Sequence, residues 1–557
     1  MPAKTPLFRA TLVLALSALG AGTVWSESTG SGGRDKPSPA PLSAIDWLSQ
    51  PGTSVSAAKA REKQKVKGNP TLAEPAPSPA APAKPVLQEA PVAKGGGLPA
   101  AVAVSVLGGP SPDAVGLLTP AQTGFPHALW GLGLTDEAAA ALTRADPVGL
   151  PALQSLLLTL LLAEALPPAD AGTDGRLLMA RLDKLLALGA LDQAQALLDA
   201  ALPARTPELF RRSFDVALLT GQEDRACAAL TLAPELAPTL PTRVFCVARE
   251  GDWAAAALTL RTAQALGHIS DTEDALLSRF LDVDLYESEP APPPPKPVTP
   301  LIWRIYDAIG EPVPTTMLPL AFAHADLSDR AGWKAQVEAA ERLARAGAIS
   351  ANLMLGIFTL REPAASGGIW DRIDAFQRFE AALQAGDVTA VEQRLPLAAA
   401  RMADAELEVP FASLFADQLA LLPLTGDAAA IAYKMGLLSP HYALLYNSAL
   451  APKDAQGAFL AGLAQGNLRG LPPPDSMARA IAPAFDGSDI PLSEDARLLL
   501  DQKRIGEAVL LAMARIETGL HGELGKLTEG LALMRRLGLD DTARRTALEL
   551  MLLERRG

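Results

Sequence analysis

Few residues in this 557-residue chain are of types that do chemistry, and none is spaced to do it locally. The histidines, His127, His268, His324, His441 and His521, include no pair at i, i+4 and no His-Glu-x-x-His. That is the spacing that would put two imidazoles on one helical face for zinc. Cys227 and Cys246 do not form Cys-x-x-Cys, which excludes a thiolate zinc site and argues against dithiol exchange. There is no Gly-x-Ser-x-Gly elbow and no phosphate-cradling Walker loop. Carboxylates are abundant, but no local pattern sets two of them up as an acid–base pair. The expectation is a binding protein rather than an enzyme, with no cofactor and no metal.

The N-terminus says where the chain works. Lys4 and Arg9 precede the apolar run Leu12–Leu19, which leads into small residues at Ala18, Gly20, Ala21 and Gly22. A basic stretch, a short apolar core and a small-residue cleavage zone read as a secretory signal over residues 1–25, with an uncleaved anchor as the alternative. No cysteine lies near that zone, so lipoprotein processing is not expected, and the periplasm is the expected location. An oxidising compartment bears on Cys227 and Cys246. Each lies about nine residues from the centre of the Pro234–Pro241 connection between two helices, so antiparallel packing would bring them level. A disulfide is expected; the alternative is two small buried thiols.

Composition sets the fold class. Apolar residues make up 49% and are mostly Ala and Leu, while aromatics are 5% and charged residues 20%, a balance that favours helix. After the signal no apolar run reaches the roughly 18 residues of a membrane span. The closest, Leu150–Leu166, is broken by Pro151, Gln154 and Glu164. Net charge is −13, of which the signal carries +2 and Glu27–Pro112 carries +3, leaving −18 on the rest. So acidic a body is a poor match for nucleic acid.

The body is organised by repeated helical turns. Leu185–Ala194, Ala217–Ala226 and Val247–Ala254 each run from an apolar helix into a glycine, then an acidic residue, then an alanine-rich helix. The glycines, Gly189, Gly221 and Gly251, are 32 and 30 residues apart. Glycine accepts the left-handed conformation that closes a helix, and an Asp soon after caps the next. Further on, Gly347, Gly386, Gly426, Gly466 and Gly506 are separated by 39, 40, 40 and 40 residues with similar flanks, the signature of a helical-pair array. The expected organisation is a disordered Pro/Ala-rich tether over 26–112, helical repeats over 113–287, a polyproline strap over 288–300 and helical repeats over 301–557. Within this, helices are expected over Pro151–Leu166, Asp271–Tyr286 and Trp333–Ala346, with Thr135 as an N-cap. In the last of these helices Val337, Ala340 and Leu343 face the core, and Lys334, Glu338, Glu341 and Arg345 face water.

Two places are candidate partner sites. In the tether, Ile45, Trp47 and Leu48 cluster behind a possible cap at Ser43, as a turn offered to a groove would; a stray apolar cluster is the alternative. A basic run from Lys59 to Lys67 follows, read as solvated linker, with contact to anionic polymer as the alternative. In the body, Trp303, Trp333 and Trp370 fall in the least repetitive stretch. A small-residue loop, Arg361–Trp370, leads to the last of them, as a binding loop would; a flexible connector ending in a packing Trp is the alternative.

The turn, apolar-Gly-x-x-Asp-x-Ala, resembles that of tetratricopeptide-type and related bacterial α-solenoids over about residues 130–557. The resemblance implies a concave superhelical surface that binds peptides or proteins, but no unit keeps the full consensus, so peptide-clamp residues are not assigned. The whole chain also resembles alanine-rich exported proteins of alphaproteobacteria. Soluble lytic transglycosylases pair a superhelix with a catalytic Glu, yet Glu517-Thr-Gly-Leu-His521-Gly-Glu523 lacks their Glu-Ser and Gly-Leu-Met-Gln context and reads as a capped turn. The sequence therefore predicts an all-α superhelical array of antiparallel hairpins acting as a periplasmic scaffold for protein or peptide partners. The alternative is a factor that contacts peptidoglycan or regulates a hydrolase.

Overall fold

Leucine and alanine at helical spacing, punctuated by Gly and Pro, give a chain that is helical throughout its described part. The computed structural model describes residues 111–147, 149–201, 206–286 and 289–553. Ile45, Trp47, Leu48, Lys59–Lys67 and the signal lie outside the described residues. The fold is all-α, with no β-strand among the described residues.

In order, the helices are α1 (Pro120–Thr123), α2 (Thr135–Arg144), α3 (Pro151–Leu162), α4 (Arg176–Ala187), α5 (Leu191–Ala200) and α6 (Pro207–Thr220). Then come α7 (Glu223–Leu232), α8 (Leu240–Arg249), α9 (Trp253–Ala265), α10 (Asp271–Leu281), α11 (Pro300–Ala308) and α12 (Trp333–Arg345). They continue as α13 (Ala351–Phe358), α14 (Ile369–Gln384), α15 (Val388–Ala403), α16 (Glu408–Leu419), α17 (Gly426–Leu438) and α18 (Tyr442–Leu445). The last are α19 (Ala455–Gln465), α20 (Ser476–Ile481), α21 (Glu494–Asp501), α22 (Ile505–Leu520), α23 (Leu524–Arg536) and α24 (Asp540–Leu552). Most sequence neighbours pack against each other, as α8 with α9, α14 with α15 and α22 with α23 do.

The turn chemistry explains most of the stops. Gly189, Gly221 and Gly251 have φ of 71°, 72° and 93°, and Gly347, Gly386 and Gly466 have 67°, 67° and 77°, values open to glycine at little steric cost. Asp252 and Asp387 cap α9 and α15 by accepting from Ala255 and Ala390 N–H. Asp192 and Asp224 do not cap; they sit in the first turns of α5 and α7, where a carboxylate still favours the helix dipole. Gly506 also departs from the expected turn. It lies inside α22, pressed against Trp130, while Lys503 takes the left-handed conformation at φ 56°. Thr135 is the first residue of α2 rather than its cap, and its N–H and hydroxyl both donate to Asp170. A distant residue has replaced the local cap.

Three expected helices are shorter than their apolar patterns. The helix expected to reach Leu166 stops at Leu162 because Leu117 and Leu118 N–H take its last carbonyl. The one expected to reach Tyr286 stops at Leu281, before a 3-10 turn over Asp284–Tyr286. The third, α12, ends at Arg345, and its expected apolar face holds: Val337, Ala340 and Leu343 are fully buried. Glu341 does not face water, however. It is buried against Arg372, with contacts of 2.7 and 3.0 Å, and burial raises its pKa despite that guanidinium.

One core joins the beginning of the described chain to its end, with Leu118–Leu219 and Tyr433–Leu548 contributing side chains to a single apolar cluster. A second cluster spans Ala323–Met435 and a third Phe210–Ile309. In the first, α3 packs on α24 and α2 on α22. Leu132 N–H donates to Gln502 O and Gly506 N–H to Leu129 O, at 3.0 and 2.9 Å. The carboxylate of Glu549 on α24 accepts from Ala152 N–H at 3.0 Å, so the last helix caps the N-terminus of α3. The helical series is thus tied end to end through backbone hydrogen bonds and a shared core.

Asp215 on α6 gives this body a pH dependence. Burial lifts its carboxyl to about 6, with Arg211 and Arg212 opposing the shift and Asp183 adding to it. A carboxyl whose folded pKa lies above its unfolded value binds its proton more tightly when folded, so its contribution to stability falls as pH rises from about 4 to about 6. Asp215→Asn is expected to raise the urea midpoint at pH 7.5, by about 1–3 kcal/mol of unfolding free energy. At pH 3.5 the two proteins should unfold together.

Candidate functional site

A site with an open apolar floor lies where α5, α6 and α7 meet. Gly189 closes the helix before α5; Thr206 caps α6, its hydroxyl accepting from Leu209 N–H; and Gly221 turns the chain into α7. The three helices therefore lie side by side, and residues at helical spacing line a groove. On α5 these are Asp192, Gln195 and Asp199; on α6, Phe210, Ser213 and Ala217; on α7, Arg225, Ala226 and Ala229.

The floor is apolar because Phe210, Ala217 and Ala226 turn their faces into the third core cluster. It is recessed because two of those three are alanines. About 170 Å³ of space is open above it, comparable with the roughly 150 Å³ of an apolar cavity that accepts benzene. One aromatic or branched aliphatic side chain fits such a volume. The walls carry opposite charge. Asp192 and Asp199 are exposed on α5, Asp199 accepting from Gln195 Nε2 at 2.8 Å, and Arg225 is exposed on α7.

The α7 wall is fixed more by cross-links than by packing, since its buried apolar side chains are only Ala226, Cys227 and Leu230. Cys227 and Cys246 are joined in a disulfide that ties α7 to α8, with Cα atoms 5.0 Å apart. Buried Glu223 at the start of α7 pairs with Arg304 and with Arg249, the latter at 3.4 Å. Thr231 bonds to Glu250 at the other end. Reducing the bond, or making the Cys227→Ser/Cys246→Ser variant, is expected to lower unfolding free energy by about 3 kcal/mol on the chain-entropy argument for a loop of this length. Urea unfolding with and without a thiol reductant measures it.

Trp303, Trp333 and Trp370 do not line this groove. Trp303 and Trp333 are 7% and 8% exposed, and their indole N–H groups donate to Val313 O and Ile357 O, each at 2.9 Å. Trp370 packs on Trp333 with ring centroids 4.9 Å apart. The loop before it is held by Gly367 N–H on Asp371 and by Gln377, which bonds to Phe358 O and Arg361 O. These tryptophans anchor the helices that follow the polyproline segment. Glu517 lies in the last turn of α22 and His521 just past its end, where His521 Nδ1 lies 2.9 Å from Glu517 O, the geometry of a helix end.

A second depression, of about 290 Å³, lies between α23 and the 483–490 loop. Its arginines are already engaged: Arg535 with Asp540 and Ala484 O, and Arg536 with Asp489 and Ile490 O. Among the described residues no three His, Cys, Asp or Glu side chains are grouped to hold a metal ion, and no helix is long and apolar enough to cross a membrane.

The α5–α7 groove was missed in the sequence because its residues come from three helices and none is unusual alone. The available signal was the facing pair of patterns: Asp192-x-x-Gln195-x-x-x-Asp199, with acids on one helical face, and Arg225-Ala226-x-x-Ala229, small beside a cation. No family model matches the chain, and no curated protein or solved structure matches it at a significant level.

Proposed function

We propose that this chain is an exported, non-enzymatic helical-repeat scaffold, tetratricopeptide-like in its turns, that binds protein or peptide partners in the cell envelope. The observation that carries the reading is the α5–α7 groove, an apolar floor sized for one large side chain between an acidic wall and a basic one. A peptide anchored by such a side chain, with charged neighbours of either sign, meets complementary surface on both sides. Export rests on the signal-like N-terminus.

The test is chemical crosslinking and capture from periplasmic extract, comparing the wild-type chain with Ala229→Trp, which fills the groove from its half-buried rim. The same proteins should be recovered reproducibly with the wild type and reduced at least fivefold with the variant, while the two unfold at the same urea concentration. Equal capture by both would move the binding site off this groove. Recovery of cell-wall fragments and no protein would replace the reading with peptidoglycan contact.

A further inference from the structure

We propose that Ile45–Leu48, N-terminal to the described residues, docks in the α5–α7 groove, with Trp47 or Leu48 on the Phe210–Ala217–Ala226 floor and Asp46 against Arg225. This rests on the groove being a peptide site and names its resident occupant.

Complementarity is two-sided. The floor is apolar and holds about one large side chain, and Ile45-Asp46-Trp47-Leu48 offers such a side chain directly beside a carboxylate. Arg225 is exposed on the wall that the carboxylate would meet. The basic run Lys59–Lys67 follows within a dozen or so residues, a span of up to about 40 Å when extended, enough to cross to Asp192 and Asp199 on the opposite wall.

Magnitude favours this occupant over a free peptide of the same kind. One buried aromatic side chain and one exposed ion pair support dissociation constants no tighter than about millimolar. A free peptide at cellular concentration would leave such a site empty. A segment joined to the groove through about 60 residues of its own chain is present at an effective concentration of about millimolar, so roughly half the molecules are filled. A partner that brings more contacts then displaces it.

The test uses the exported chain with Gln195→p-benzoylphenylalanine, irradiated at about 1 µM and mapped by mass spectrometry, with a mixture of isotopically light and heavy chains. Crosslinks within single chains to residues 41–50 are expected. Trp47→Ala/Leu48→Ala should lower their yield at least fivefold. Arg225→Glu should lower it about threefold, with recovery when Asp46→Lys is added. Crosslinks to other segments, yields indifferent to these changes, or links between light and heavy chains would each overturn the assignment, the last in favour of a second copy. If the crosslinks fail while the Ala229→Trp-sensitive capture of partners succeeds, the resident occupant is wrong and the groove remains a peptide site. If both fail, the groove reading itself falls.

Discussion

Replacing Arg181 with alanine is expected to lower the unfolding free energy by about 3–5 kcal/mol, among the largest single-residue effects in this chain. Arg181 on α4 is 3% exposed. Its guanidinium donates to Leu161 O at 2.7 Å, Val115 O at 2.6 Å and Ala163 O at 3.0 Å. Those carbonyls belong to two strips, an extended one at 115–118 and one at 161–164 where α3 ends, that meet at the Leu118–Ala163 bridge. The strips are so close that a Cβ on Gly116 would fall 2.2 Å from Glu164 N, so no side chain could approach to replace the lost donors. Burial pushes the guanidinium down to about 10, and the charge of Asp113 opposes that shift, so Arg181 is protonated at neutral pH. Alanine leaves two buried carbonyls and a part-buried one unpaired, and takes from Asp113 the larger of its two counter-charges. Arg181→Lys should recover less than half the loss, because one ammonium cannot reproduce a planar fork of donors. Urea unfolding measures the free energy, and hydrogen exchange at 115–118 should rise first.

Arg504→Ala is expected to have an effect of similar size at the opposite end of the chain. Arg504 lies where α22 meets α2, bonded to Glu507 at 2.6 and 2.5 Å and also paired with Glu137. Glu507 is 6% exposed. Removing the arginine strands a buried carboxylate, which destabilises by about 3–5 kcal/mol. Glu137 is half exposed and contributes little once freed. The double variant Arg504→Ala/Glu507→Gln should therefore regain much of the loss, since the penalty lies in the unpaired charge rather than in the missing contact. Urea unfolding of the two variants separates these causes. Equal instability would locate the loss in packing around Trp130 and Gly506 instead.

The helical class was legible because its signals are local. Gly189, Gly221 and Gly251 mark turns wherever an apolar run meets a residue that accepts positive φ, and Val337, Ala340 and Leu343 fall on one face by spacing alone. What was not legible depends on distant partners. Asp170 caps α2 across 35 residues, and Glu549 caps α3 across 397. Gly506 carries the expected spacing but serves a different purpose, making room for Trp130. Trp303 and Trp333 stood as binding candidates because an aromatic in a variable stretch reads the same whether it faces a partner or the core; for Trp370 a packing role was the alternative, and it packs on Trp333. The groove escaped notice for the reason the joining of the chain's ends did: each arises where helices meet, and helical periodicity says which residues share a face without saying which faces meet.

The most direct test of the groove as a partner site is photo-crosslinking in the envelope of living cells. A p-benzoylphenylalanine is placed at Ser213 on α6, within the groove, and in a second strain at Leu397 on α15, an outward residue that is 55% exposed. Discrete protein adducts from Ser213, absent from Leu397, are the predicted result. Identical adducts from both positions, or adducts from Leu397 alone, would contradict it.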